Sequence, residues 1–144
     1  EAIEHAARMI SLEPNFWGAY RILGLAKVAS GRHEEAIADV EKGVALGGGP
    51  FMLAVLGSTL GNLGSASEAQ KVLDELSQLA QQRYVPAFCW ITVYLGLGDR
   101  EQVLAWWGRA IEDRDAMLAA FRAVARTWYP ENPDLPVLVK QIGL

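Results

Sequence analysis

Residues 17–50 read WGAYRILGLAKVASGRHEEAIADVEKGVALGGGP, and a short pattern inside them decides the architecture. Gly31 is followed by Glu35 and then by the small residue Ala36. The pattern returns as Gly64, Glu68 and Ala69, and in weakened form as Gly98, Gln102 and Val103. The glycines are 33 and then 34 residues apart. Recurrence at that spacing marks an array of stacked helical hairpins, because one hairpin cannot bury its own apolar faces and needs neighbours to do so.

Each residue of the pattern has a physical task. The glycine closes one helix, since it adopts the left-handed conformation of a C-terminal cap without a Cβ penalty. The residue after it stands where the next helix is capped: Arg32, Ser65 and Asp99. Ser65 with Glu68 reads as a full capping box and Asp99 with Gln102 as close to one, whereas Arg32 is a poor N-cap. Ala36 and Ala69 let the two helices of a hairpin approach closely. Val103 is bulkier and predicts a slightly splayed third hairpin.

On these residues the chain resembles the tetratricopeptide repeat, a 34-residue helical hairpin with Leu-Gly in helix A, a turn glycine, an alanine in helix B and often a closing proline. Leu23-Gly24 and Leu56-Gly57 match the Leu-Gly pair, and Trp90-Ile91 replaces it in the third copy. Pro14 matches the closing proline of a preceding unit, and Ala2 lies 34 residues before Ala36. The resemblance covers roughly residues 1–114. It implies an all-α superhelix of about three hairpins in a single domain: a partial repeat at 1–14, repeats at 15–49, 50–83 and 84–114, and a capping segment at 115–144. Gly43 sits where the family has a small residue, at about 1 kcal/mol against alanine in helix propensity.

Composition fits this. The 144 residues carry a formal charge of −4 and are 51% hydrophobic, the profile of one packed domain. The mild acidity argues against a nucleic-acid surface, which needs a clustered basic patch. Apolar runs are broken well short of a membrane span. Cys89 is the only cysteine, so no internal disulfide forms, which suits a cytoplasmic setting. The opening EAIEHAARMI lacks a methionine and is already in helical register, so the chain reads as a piece of a longer protein.

Helices are expected at 2–12, 15–30, 33–46, 50–63, 66–82, 85–97 and 100–113. Ile3, Ala6, Ala7 and Ile10 share one side of the first, at helical spacing. Leu53, Leu56, Leu60 and Leu63 form a stripe on the fourth. Gly47-Gly48-Gly49 reads as a permissive loop rather than a hinge. The third unit is aromatic: Trp90 and Trp107 fall on core positions and Trp106 beside the core. A further helix is expected at 115–127, then a proline-rich turn and a short helix at 135–142, covering the edge of the array. This tail is similar to the ends of repeat domains fused behind bacterial kinases or winged-helix DNA-binding domains.

Chemistry-bearing constellations are sparse. His5 and His33 lie in different units without a second His or Cys at ligand spacing, so no metal is expected, and both read as surface residues. Cys89 reads as a buried apolar thiol. Gly47-Gly48-Gly49-Pro50 is followed by Phe51, not Lys-Ser or Lys-Thr, so it is no phosphate loop. Arg122 and Arg126, one turn apart, could grip a carboxylate or phosphate, with ordinary surface charge the plainer reading. No cofactor and no catalysis are expected.

In the tetratricopeptide family ligands usually lie on the concave face of the A helices. By register that face carries Arg21, Leu25, Val28, Phe51, Ala54, Ser58, Phe88, Thr92 and Leu95. The Lys and Asn clamp by which some members hold a terminal carboxylate is missing, so a chaperone tail is disfavoured. Phe51 and Phe88 suit an apolar or amphipathic peptide segment. They equally suit gap-filling between units, a homodimer, or packing on a further domain. The resemblance therefore implies a protein–protein interaction scaffold. The alternative is a sensor domain that binds a small ligand or peptide, shows a closed pocket near the aromatic third unit, and controls an attached kinase or DNA-binding domain.

Overall fold

A computed structural model describes residues 1–114 and Lys140. Residues 1–114 form seven helices: α1 (Ala2–Leu12), α2 (Trp17–Ala29), α3 (His33–Ala45), α4 (Gly49–Asn62), α5 (Ala66–Ala80), α6 (Ala87–Leu97) and α7 (Arg100–Glu112). No strand occurs among the described residues. The expected helices at 115–127 and 135–142, the proline-rich turn between them, and the Arg122–Arg126 pair lie outside the described residues.

Helix limits agree with the expected ones to within a few residues, and the shifts have causes. Pro86 holds φ −61° and ψ 138°, so the chain enters α6 extended and the helix begins at Ala87. Gly49 opens α4 with Pro50 behind it in the first turn, where a missing N–H does no harm.

The turn glycines behave as the sequence requires. Gly31, Gly64 and Gly98 have φ of +72°, +79° and +71°. In each turn the glycine N–H donates to a carbonyl three residues back: Val28, Gly61 and Leu95. The next N–H donates to the carbonyl five back: Lys27, Leu60 and Tyr94. This double bond closes a helix end and satisfies its otherwise orphaned carbonyls. A fourth copy of the turn lies off the 34-residue spacing. Gly47 has φ +91°, and Gly47 and Gly48 donate to Val44 and Gly43. The triple glycine therefore begins as a defined helix terminator, and only its last member starts α4.

The helix starts fit less well. Asp99 accepts from the Gln102 backbone N–H at 3.1 Å, but Ser65 makes no side-chain cap bond. Glu68 pairs with Lys71 at 2.8 Å instead of reaching back. Arg32 grips Glu35 with two nitrogens, at 2.7 and 2.5 Å, a side-chain clasp across the same four-residue span. That hydrogen bond holds the Glu35 carboxyl below its ordinary range and raises the Arg32 guanidinium. Replacing Asp99 by Ala should cost about 1 kcal/mol, and Ser65→Ala a few tenths at most, measured by urea denaturation. Equal losses at the two sites would refute the distinction.

Each helix packs on the next in sequence, and α4 also packs extensively on α6. Ala36 and Ala69 are fully buried where their hairpins cross. The contact between α6 and α7, at Val103, is somewhat less extensive than in the other two hairpins. Three apolar clusters follow one another: Val40, Met52 and Val55 between α3 and α4; Leu53, Val72, Leu73, Leu76, Trp90 and Val93 joining α4, α5 and α6; and Phe88, Ile91, Leu95 and Trp107 between α6 and α7. Cys89 is fully buried in the second. Trp90 and Trp107 are buried and Trp106 half-buried, as their register implies.

The expected leucine stripe on α4 is replaced by burial nearly all round. Met52 through Val55 and Gly57 through Thr59 are buried, while Leu63 is exposed. The cause is the position of α4, which has α3, α5 and α6 against it. Ala7 on α1 is likewise exposed and only Ala6 buried, since α1 makes its one extensive contact with α2.

Gly108 lies in the middle of α7, exposed, with nothing within 4 Å of where a Cβ would stand. Gly108→Ala should therefore raise unfolding stability by about 1 kcal/mol through helix propensity alone. A loss in thermal melting would show that the position is occupied by something the described residues do not include.

Candidate functional site

The nine expected ligand-facing residues divide by helix. On α2, Arg21 is exposed and Leu25 and Val28 are half-buried. Their spacing of four and three puts them on one helical face. On α4, Phe51 is half-buried while Ala54 and Ser58 are buried. On α6, Phe88, Thr92 and Leu95 are all buried. The structure brings the α4 and α6 members together. The Phe51 and Phe88 ring centroids are 6.5 Å apart with planes tilted by 48°, a geometry aromatic quadrupoles favour. Thr92 donates its hydroxyl to the Phe88 carbonyl at 2.8 Å. Phe88 and Leu95 belong to the cluster that joins α6 to α7.

The reason is backbone proximity. A Cβ on Gly96 would stand 2.3 Å from the Ser58 carbonyl oxygen and 2.6 Å from its Cα. One on Gly61 would stand 2.6 Å from the Gly96 carbonyl carbon. Helices α4 and α6 thus meet main chain to main chain, and side chains on the meeting faces are enclosed. The parts of the expected face that solvent reaches are the α2 strip and, on α4, the half-buried Phe51. Sequence reasoning missed one member of that strip. Trp17 lies four residues before Arg21 and is 36% exposed, so the open face runs Trp17, Arg21, Leu25, Val28. Helical spacing from Arg21 back to Trp17 would have found it.

Other polar features are structural in geometry. Lys27 on α2 and Asp39 on α3 pair at 2.5 Å with both side chains mostly buried, which fixes the register of that hairpin. His33 departs from the expected surface residue: it is half-buried, and its Nδ1 lies out of reach of solvent with no hydrogen-bond partner. His5 is exposed. Among the described residues, one open cleft is lined by residues from Leu12 to Phe16 and another by Gly31 to Glu35 with Leu63.

The aromatic third unit, beside which the sensor alternative would place a pocket, holds a stack of side chains. Trp90 stacks on Trp106 with centroids 4.4 Å apart and planes 2° from parallel. The Arg109 guanidinium lies over the Trp106 ring at 4.6 Å, a cation–π contact. Burial raises the pKa of the neighbouring Tyr94, helped by the Asp99 carboxylate and opposed by a hydrogen bond with Trp106.

Among the described residues no group of three His, Cys, Asp or Glu side chains could hold a metal ion, and no helix is long and apolar enough to cross a membrane. No protein-family model matches the chain. No curated protein and no solved structure matches it either.

Proposed function

We propose that the chain is a tetratricopeptide-like superhelical segment and a non-enzymatic docking scaffold, which takes an apolar or amphipathic peptide segment of a partner protein. The observation that carries this reading is the recurrence of one turn geometry at Gly31, Gly64 and Gly98, 33 and 34 residues apart. It makes the three hairpins equivalent units, and arrays of such units serve through extended faces rather than enclosed sites. The open α2 strip supports the same reading, since Trp17, Leu25 and Val28 offer apolar anchorage around one cation, Arg21. Such a face gains affinity from burial of anchor residues and direction from the charge.

The test is selection from a displayed random 12-residue peptide library on the immobilised chain, with light scattering on the free chain in parallel. Enriched peptides should share spaced apolar anchors and lose at least tenfold in affinity to Trp17→Ala and Leu25→Ala variants. No enrichment, with a chain that self-associates in solution, would replace peptide capture by self-pairing. Enriched peptides that bind both variants unchanged would move the site off α2.

A further inference from the structure

The two junctions between successive hairpins are built differently. Between the second and third hairpins, α4 and α6 meet along bare main chain at Ser58, Gly61 and Gly96. Val93 also sits over Gly57, where a Cβ would stand 2.8 Å from its methyl carbon. At Gly61 and Gly96 the facing atoms are main chain, so a tilt there drives backbone into backbone.

Between the first and second hairpins, α2 barely touches α4, and the link runs through α3 against α4. The side chain at the centre of that contact is Met52, fully buried with Val40 and Val55. It lies across two glycines. A Cβ on Gly43 would stand 2.5 Å from its terminal methyl, and one on Gly48 would collide with its Cγ. Methionine has three rotatable bonds and repacks readily, and glycine presents no side chain to interlock with it. The covalent link is equally permissive. The helix-closing bonds end at Gly48, Gly49 follows at φ +67°, and α4 begins there.

We infer that this junction is a hinge: α1–α3 tilts as one body against α4–α7, pivoting at Gly48-Gly49 and sliding on Met52. The motion alters the span between the α2 strip and Phe51, whatever binds there, so the inference stands apart from the peptide reading. Conformational freedom belongs where few packed contacts oppose it, and hinges form at element ends that absorb a backbone change.

Electron–electron spin distances test it on the whole chain, with nitroxides on pairs of cysteines introduced at exposed sites. Cys89 is fully buried and needs no replacement. The pair His5→Cys with Gln78→Cys spans the junction. The pairs His5→Cys with Ala38→Cys, and Gln78→Cys with Glu101→Cys, lie within the two bodies. The spanning distribution should be at least twice as broad as either internal one. Equal widths would overturn the hinge. Broadening of the His5–Ala38 pair to match would overturn it too, because the motion would then belong to α1 alone.

Discussion

Gly96→Ala should destabilise the chain by about 3 kcal/mol or more, the high end of what one added methyl costs in a packed interior. The size follows from what the methyl would strike. At Gly96 the obstacles are the Ser58 oxygen, Cα and carbonyl carbon, at 2.3 to 2.8 Å. None is the end of a side chain that can turn away, so α4 and α6 must separate. Their separation opens the cluster that joins α4, α5 and α6, which includes Leu53, Val72, Leu76 and Trp90. Alanine gains about 1 kcal/mol of helix propensity over glycine, too little to offset this. Gly43→Ala is the control. There the nearest atom is the Met52 terminal methyl at 2.5 Å, which can rotate aside, so the cost of moving it and the propensity gain should cancel to within about 1 kcal/mol. Urea denaturation of the two variants reads the difference directly. Comparable midpoints would mean that α4 and α6 are not in main-chain contact in solution.

The positions that stabilise or destabilise the chain are legible in the sequence in unequal measure. Gly31, Gly64 and Gly98 announce themselves because a left-handed turn excludes almost every other residue, and the requirement survives in any tertiary setting. Ala36 and Ala69 are legible for a related reason: a small residue at a fixed offset after a turn is what close approach of the two helices demands. Ser65 shows the limit. Its sequence context satisfies the capping box, yet an exposed Glu68 has Lys71 within reach, and local competition of that kind is decided by tenths of a kcal/mol. Gly61 and Gly96 are invisible as a pair. They sit on different helices with 34 intervening residues, and nothing in periodicity says which faces of two helices will touch. The same blindness affects the candidate site. Register identifies the face that the first helices of the hairpins share, but burial of Ala54, Ser58, Phe88, Thr92 and Leu95 depends on how closely α4, α6 and α7 come together. The α2 portion, which meets little of α4, and the half-buried Phe51 keep some of the exposure that register alone suggests.

Trp107→Ala should cost about 3–5 kcal/mol, as deleting a large buried aromatic does when its surroundings cannot collapse into the space. Trp107 is 1% exposed and packs with Phe88, Ile91, Leu95 and Val103 in the cluster that holds α7 to α6. Three of these four neighbours sit on α6, which is buried along nearly its whole length and pinned at Gly96 to the main chain of α4. The walls of the cavity are therefore fixed from behind, and relaxation is left to α7. The adjacent Trp106 makes the comparison sharp. It is half-buried, stacked on Trp90 and covered by Arg109, so its loss removes a stacking contact of about 0.5–1.5 kcal/mol, a cation–π contact of about 0.5–1 kcal/mol and a hydrogen bond with Tyr94 of about 0.5–1.5 kcal/mol, without opening an enclosed void. Trp106→Ala should then cost about 1.5–4 kcal/mol, less than Trp107→Ala. Near-ultraviolet circular dichroism separates the two further, because only Trp106 belongs to the parallel indole pair at 4.4 Å. Trp106→Phe should abolish the coupled indole band and Trp107→Phe should leave it in place. If Trp106→Ala proved the more damaging substitution, the stack and not the α6–α7 cluster would be what fixes the third hairpin, and the order of burial along α7 would have to be reversed.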